Sequence, residues 1–251
     1  MSTPDLHRRE LVAAPGWARG LARVDGEDVV LDMDGAERYS AAEFSGLEFA
    51  LAAIREPHEI LGFVRRYGML WHGPENTGEC REPVSHWLQE AIAFELAMDL
   101  AVAIQDAVDG DVEAKAQLRS NWLVIPWRLD FPPGSFDSDE ILKIASIVLA
   151  RTIERGLGDT VRQRFVAASE VGHGGPGTYM WLSQVETLLG YAYHELASAI
   201  DERIPIASCE ECGRRFAVQH GRQRFCSPRC ASRARYKRFA AKRKSQEELG
   251  E

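Results

Sequence analysis

The sequence predicts a mainly helical α+β fold, in which a mostly helical body (about residues 1–200) precedes a small cysteine-rich module over residues 201–251. Apolar residues recur at helical spacing through most of the body, which indicates amphipathic helices. Two Asp-Gly pairs separate short alternating stretches across about residues 18–39, a pattern typical of a small antiparallel β-unit. Four of the five cysteines lie between residues 209 and 230, so the end of the chain has a composition of its own.

The N-terminal part is predicted to pass from this β-unit into two helices. Hairpin turns are expected at Asp25-Gly26 and Asp34-Gly35, because Asp-Gly favours two-residue hairpin loops. Ser40 is the predicted N-cap of a helix over residues 41–56, since its hydroxyl can accept from the free N–H groups of the first turn. Pro57 then starts a second helix, at a position where the backbone N–H has no helical partner to lose.

Most of the remaining body is also predicted to be helical, with no clear linker before the module. Residues 68–82 are expected to form a loop, and residues 121–137 a short strand with a proline-rich turn. Asp137 or Ser138 is the candidate N-cap of the helix that follows. The apolar spacing places helices at about residues 83–108, 111–119, 139–157 and 179–200.

Charge is distributed unevenly along the chain. Residues 209–244 carry twelve basic and two acidic side chains, a net charge of +10, whereas residues 1–208 carry eighteen basic and thirty-three acidic side chains, a net charge of −15. The last seven residues add −3, which gives the total of −8. A basic module joined to an acidic body suggests contact with a polyanion at one end of the chain.

No stretch of the sequence predicts secretion or a membrane span. The N-terminus lacks an apolar core of signal-peptide length, and no run of eighteen apolar residues occurs. A cytoplasmic location is therefore expected, with nucleoid association if the module binds DNA. In a reducing compartment, clustered cysteines favour a metal site over disulfides.

The cysteine spacing predicts a zinc site. Cys209 and Cys212 are separated by two residues, Cys226 and Cys230 by three, and thirteen residues lie between the pairs. Two such pairs match a structural site in which four thiolates surround one Zn²⁺ tetrahedrally. His220 is an alternative ligand, but four cysteines already complete the coordination.

Local sequence predicts how this site is built. Gly213 fits a tight knuckle after the first pair, where a Cβ is expected to crowd the backbone. Phe216 and Phe225 are expected to form the small apolar core of a hairpin, and Ser227 and Pro228 read as N-cap and first helical residue. A knuckle, a hairpin and a helix that carries the last ligand describe a treble-clef-like finger.

The helix that follows the cysteines is predicted to be strongly basic and to bind nucleic acid. Its basic residues fall in two adjoining rows at helical spacing, and two more lie on the predicted hairpin. Their charge exceeds what a four-thiolate zinc site needs, which favours contacts with phosphates. The predicted contact residues are Arg222, Arg224, Arg229, Arg233, Arg235, Lys237, Arg238 and Lys242.

The pattern C-x2-C-G-x2-F … R-x-F-C-S-x2-C-x2-R resembles the CGNR-type zinc finger at the C-terminus of bacterial transcriptional regulators. The four cysteines match the ligands, and Arg233 matches the final Arg of the name motif, whereas Ala231 and Ser232 replace its Gly and Asn. The similarity covers about the last fifty residues. It implies a DNA-binding regulator with a helical N-terminal domain, and double-stranded DNA as the partner.

Three other groups of residues give weaker indications of function. The HGGPG stretch at residues 173–177 resembles a hydrolase oxyanion loop, but no G-x-S-x-G nucleophile motif accompanies it, and no enzymatic activity is predicted. His72, Cys80 and His86 match no standard metal spacing. The tryptophans of the body are expected in its core: Trp71, Trp87, Trp122, Trp127 and Trp181.

Two functional hypotheses remain from the sequence. In the first, the protein is a DNA-binding regulator whose body senses a ligand or forms a homo-oligomer. In the second, it is a protein-interaction module in which zinc is a structural staple and the basic helix binds an acidic partner. A related reading of the charges is that the basic helix docks onto the acidic body of its own chain.

Overall fold

The computed structural model describes residues 11–13, 17–40, 46–73, 76–121, 138–167 and 179–248, which form a mixed α+β fold. Its helices are α1 Leu47–Ala52, α2 Pro57–Tyr67, α3 Val84–Val108, α4 Val112–Asn121, α5 Ser138–Leu157, α6 Leu188–Asp201 and α7 Pro228–Glu248. Its strands are β1 Leu11–Ala13, β2 Trp17–Arg19, β3 Arg23–Asp25, β4 Asp28–Asp32, β5 Glu37–Tyr39, β6 Glu79–Pro83, β7 Val161–Ala167, β8 Tyr179–Val185, β9 Ile206–Ser208 and β10 Arg215–Ala217.

The predicted N-terminal β-unit is present, but its pairing differs from the prediction. β3 and β4 form the hairpin expected at Asp25-Gly26, where Gly26 has a φ of 63°. The hairpin predicted at Asp34-Gly35 is wrong, because β5 pairs with β2 and not with β4. The other edge of β4 pairs with β6, so the end of the predicted loop over residues 68–82 is a strand.

The sequence does not predict β6, because a buried carboxylate occupies one of its positions. Glu82 occupies an inward position of the strand and is only 2% exposed. Its oxygens accept from the backbone N–H of Leu70 at 3.0 Å and of Trp71 at 2.7 Å, and Oε1 lies 2.9 Å from His72 Nδ1. These partners compensate for burying the carboxylate, and they tie the preceding segment to the sheet.

The central helices follow the sequence pattern closely. α2 begins at Pro57, α3 ends before Asp109, and α4 and α5 lie where helices are predicted. α1 begins at Leu47 with Gly46 as its N-cap, so the prediction of Ser40 as N-cap is wrong. Of the two cap candidates for α5, Ser138 is the first residue of the helix, and residue 137 lies outside the described residues.

The helix predicted over residues 179–200 is correct only in its second part. Tyr179–Val185 is strand β8, which pairs antiparallel with β7 and parallel with β1. α6 begins after Thr187, whose hydroxyl accepts from the backbone N–H of Gly190 at 3.1 Å. The apolar pattern runs from strand into helix without a glycine or proline, and Thr187 is the boundary that separates them.

The main core surrounds α3. Trp87, Phe94 and Met98 on this helix are fully buried, in a core that they share with residues of α1, α2 and α6. Trp87 is thus in the core as predicted, and Trp71 packs at its edge. The other three predicted core tryptophans and the HGGPG stretch lie where the structure gives no side-chain description. No helix among the described residues is long and apolar enough to span a membrane.

Candidate metal centre and its basic helix

The first two cysteines lie at the tip of a short hairpin. β9 and β10 pair antiparallel, and the backbone N–H of Cys209 donates to Arg214 O at 2.9 Å. Gly213 closes the knuckle by donating its N–H to Cys209 O at 2.8 Å, with a left-handed φ of 72°. A Cβ on Gly213 would meet nothing within 4 Å. The predicted need for glycine is therefore confirmed, but its cause is backbone conformation and not crowding.

The second pair lies at the start of α7. This helix begins at Pro228, and Ser227 Oγ accepts from the backbone N–H of Cys230 at 3.2 Å. Ser227 is therefore the N-cap, as predicted. The cap places Cys226 just before the helix and Cys230 in its first turn, so both sulfurs point toward the hairpin tip.

The four sulfurs come together as a metal ion would require. All Sγ atoms of Cys209, Cys212, Cys226 and Cys230 lie within 4.8 Å of one another. Cys226 Sγ is 3.6 Å from the sulfurs of both Cys212 and Cys230. A tetrahedron with Zn–S bonds of about 2.3 Å has edges of about 3.8 Å, whereas a disulfide needs about 2.05 Å. These residues could bind a metal ion, and all four cysteines are free thiols.

No other such group exists in the described part of the chain. The four cysteines are its only cluster of three or more potential metal ligands, and His220 is not a member. His72, Cys80 and His86 do not converge: Cys80 is buried in β6, and His72 pairs with Glu82.

The surroundings of the cluster shift the pKa values of Cys209 and Cys226 in opposite directions. Burial opposes ionisation of Cys209, but hydrogen bonds from the backbone of Cys226, Cys212 and Glu211 lower its pKa to about 6. Burial and the neighbouring thiols raise the pKa of Cys226 to about 12. Like charges packed this closely repel one another, and a bound cation is what would stabilise all four thiolates.

A small apolar core supports the centre. Cys209, Phe216 and Cys230 are buried together, and Phe225 packs against them, as predicted for the two phenylalanines. The hairpin itself lies elsewhere than predicted, because it flanks the first cysteine pair and does not fill the interval between the pairs. Arg222 and Arg224 therefore lie in the turn segment between β10 and α7.

The module contacts the body through its hairpin. Arg215 forms an ion pair with Asp99 of α3 at 2.6 Å, and Arg214 pairs with Glu59 of α2 at 3.1 Å. By contrast, α7 makes no extensive contact with another helix or strand of the described residues. The basic helix is therefore not docked on the part of the acidic body that the structure describes.

The predicted contact residues differ in their surroundings. Lys237 pairs with Glu211 at 2.7 Å, and Arg224 pairs with Glu210. Arg235 and Arg238 reach backbone carbonyls one turn earlier in α7. Exposed side chains with no ion pair to any described residue belong to Arg222, Arg229 and Arg233. The side chain of Lys242 is outside the described part.

Two aromatic residues of α7 were missed by the sequence analysis. Tyr236 is 74% exposed and Phe239 is 66% exposed, on a helix that the sequence treats only as a basic surface. A surface groove of about 520 Å³ contains Tyr236 together with Arg233 and Lys237. The signal was available in the stretch RARYKRF, where the aromatic residues alternate with basic ones.

A cavity of about 690 Å³ lies where the hairpin meets the body, and Glu48 and Glu195 are among its lining residues. Glu48 is 5% exposed, and its Oε2 has no hydrogen-bond partner among the described residues. Burial raises the pKa of Glu48 to about 7, and the Glu195 carboxylate adds to this rise.

Comparison of the chain with protein-family models, curated proteins and solved structures finds no significant match.

Proposed function

We propose that this chain is a zinc-finger protein that binds nucleic acid through the exposed basic surface of α7. The proposal rests on one observation, which is that the hairpin and α7 of the module make different contacts. The hairpin uses Arg214 and Arg215 to bind the body, whereas Arg229 and Arg233 on α7 are exposed and form no ion pair with any residue that the structure describes. Exposed cations on a helix beside a metal centre suit contacts with a phosphate backbone.

Zinc is the metal that fits the centre best. Four thiolates are soft ligands, and zinc accepts them in closed tetrahedral sites without needing an open coordination position. The sulfur separations of 3.6 Å are close to the edge of such a tetrahedron. A knuckle at a hairpin tip followed by a helix that carries the last ligand is a treble-clef-like arrangement, and zinc would hold its two halves together.

DNA is the proposed ligand, and transcriptional regulation is the proposed role. Support comes from the resemblance of the cysteine pattern to CGNR-type fingers, in which Arg233 occupies the position of the final Arg. The charge of +10 over residues 209–244 would drive binding, while the charge of −15 over residues 1–208 would repel DNA from the body. DNA would therefore approach α7 from the side away from the body.

The body would regulate the module through their shared boundary. The cavity at this boundary is lined by Glu48 and Glu195 from the body and by Phe216 and Cys226 from the module. A small molecule held there would contact both parts at once, and could change how firmly the hairpin is seated. We therefore propose that ligand sensing by the body would use this cavity.

A protein-interaction role is the second candidate, and one observation favours it. The Arg215–Asp99 and Arg214–Glu59 pairs show basic side chains of the module binding an acidic protein surface. In this alternative, α7 would bind an acidic partner protein in the same way, and the metal would only stabilise the fold of the module.

Charge reversal on α7 separates the two candidates. The double variant Arg229→Glu/Arg233→Glu is compared with Arg65→Glu/Lys143→Glu, which makes the same charge change on exposed residues of the body. Fluorescence anisotropy with labelled DNA is expected to show at least about a tenfold loss of affinity for the first variant only, with metal content unchanged. Unchanged DNA binding by the α7 variant would instead favour the protein-interaction role.

A further inference from the structure

We propose that Tyr236 and Phe239 form a stacking platform for unpaired nucleobases, so that α7 binds single-stranded nucleic acid in preference to a continuous duplex. This inference rests on the proposed function, because it assumes that the basic surface of α7 binds nucleic acid. It adds a ligand class that the sequence analysis did not predict, since double-stranded DNA was the expected partner.

The exposure of the two rings is the first observation. Large aromatic side chains are normally buried, and α7 leaves two of them mostly in solvent. Tyr236 and Phe239 are three residues apart, so they lie next to each other on one face of the helix. No extensive contact covers this face within the described part of the chain. The rings are therefore available to a partner.

The charges beside the rings identify the partner. Arg233 lies one turn before Tyr236, and Arg235 lies one turn before Phe239, so cations flank the aromatic face on both sides. Arg233, Tyr236 and Lys237 also line the same surface groove, of about 520 Å³. A partner must offer flat apolar rings and negative charge at short spacing, as nucleotides do. A second copy of α7 would bring like charges together and is disfavoured.

Stacking on Tyr236 or Phe239 requires a nucleobase with an exposed ring face, and this requirement favours unpaired bases. In a continuous duplex both faces of each base are covered by its neighbours, whereas a single strand can turn its bases outward onto a protein ring. Proteins that bind single strands combine a basic track with aromatic side chains in this way. The edge of the groove at Glu211 is acidic, but Lys237 pairs with that carboxylate at 2.7 Å.

The test uses the full-length, metal-loaded protein with a labelled oligothymidine of about 20 nucleotides and a duplex of equal length at the same salt concentration. Tyr236→Ala/Phe239→Ala is expected to bind the single strand about tenfold to a hundredfold more weakly than the native protein, with a much smaller change on the duplex. The matched control Tyr236→Phe/Phe239→Tyr keeps both rings and is expected to bind the single strand normally. Circular dichroism and metal content show that the alanine variant keeps its fold.

Two results would overturn the inference. If the alanine variant binds the single strand as well as the native protein does, the rings are not a stacking platform. If it loses single strand and duplex equally, the rings act in a way that does not depend on unpaired bases. Failure of the proposed function looks different, because the native protein would then bind neither ligand and the Arg229→Glu/Arg233→Glu variant would match it.

Discussion

Each cysteine of the centre has a local role that a single substitution can test. Cys226 lies within 3.6 Å of two other sulfurs and links the hairpin tip to α7. Cys226→Ala is expected to reduce bound zinc sharply and to unfold the module, because structural zinc contributes about 10 kcal/mol or more to folding in small fingers. Colorimetric measurement of zinc per chain checks this.

The fifth cysteine provides the control for that substitution. Cys80 is buried in β6 of the body and is not part of the cluster. Cys80→Ala is expected to leave the zinc content at one ion per chain. Equal zinc content in both variants would contradict the assignment of the ligands.

Glu48 gives a pH-dependent prediction at the residue scale. Burial raises its pKa in the folded protein from the ordinary 4.5 to about 7. Between these two values the unfolded state loses its proton while the folded state keeps it, so the contribution of Glu48 to stability falls as pH rises. Glu48→Gln is therefore expected to gain stability over the native protein between pH 5 and pH 8, by up to about 3 kcal/mol.

Urea unfolding at several pH values measures this gain. Glu27→Gln is a matched control, because it makes the same chemical change at an exposed residue. A difference between Glu48→Gln and the native protein that does not vary with pH would mean that Glu48 is ionised in the folded state.

The hairpin of the module depends on one backbone conformation. Gly213 has a φ of 72°, which costs a residue with a Cβ about 1–2 kcal/mol even without a steric clash. Gly213→Ala is expected to lose its metal faster to a chelator than the native protein does. Gly221→Ala is the control, because Gly221 also has open space but no left-handed φ. Equal rates of metal loss in the two variants would rule out this role for the knuckle.

Helices were easier to predict than strands, for physical reasons. The pattern that defines a helix lies within the helix, so α2, α3, α4 and α5 could be read locally. A strand depends on partners elsewhere in the chain: β6 pairs with β4, and β8 pairs with both β1 and β7. Glu82 also interrupts the alternation of apolar and polar residues in β6, because it is a charged residue at a buried position. The backbone N–H groups that stabilise its carboxylate are recognisable only in the folded chain.

The centre was predicted more completely than the surface around it. Cysteine spacing, the glycine of the knuckle and the Ser-Pro helix start are local signals, and the structure brings these residues together as expected. The ion pairs Arg215–Asp99 and Lys237–Glu211 could not be read from sequence. These ion pairs determine which basic side chains remain available to a ligand, and they form only through tertiary contacts.

At the scale of the whole molecule, the structure separates opposite charges in space. The acidic body is joined to the module through the hairpin, and α7 makes no extensive contact with a helix or strand of the body as far as the structure describes it. An anionic polymer would therefore meet attraction at α7 and repulsion at the body. Both the affinity and the orientation of bound nucleic acid would follow from this arrangement.

The salt dependence of binding by the full-length, zinc-loaded protein tests the central claim most directly. If α7 contacts about four phosphates of a single strand, affinity should fall about fiftyfold as salt rises from about 50 to about 200 mM. The Arg229→Glu/Arg233→Glu variant should show a shallower slope. A protein that holds one zinc ion per chain, yet binds neither single-stranded nor duplex nucleic acid at the lower salt concentration, would contradict the account.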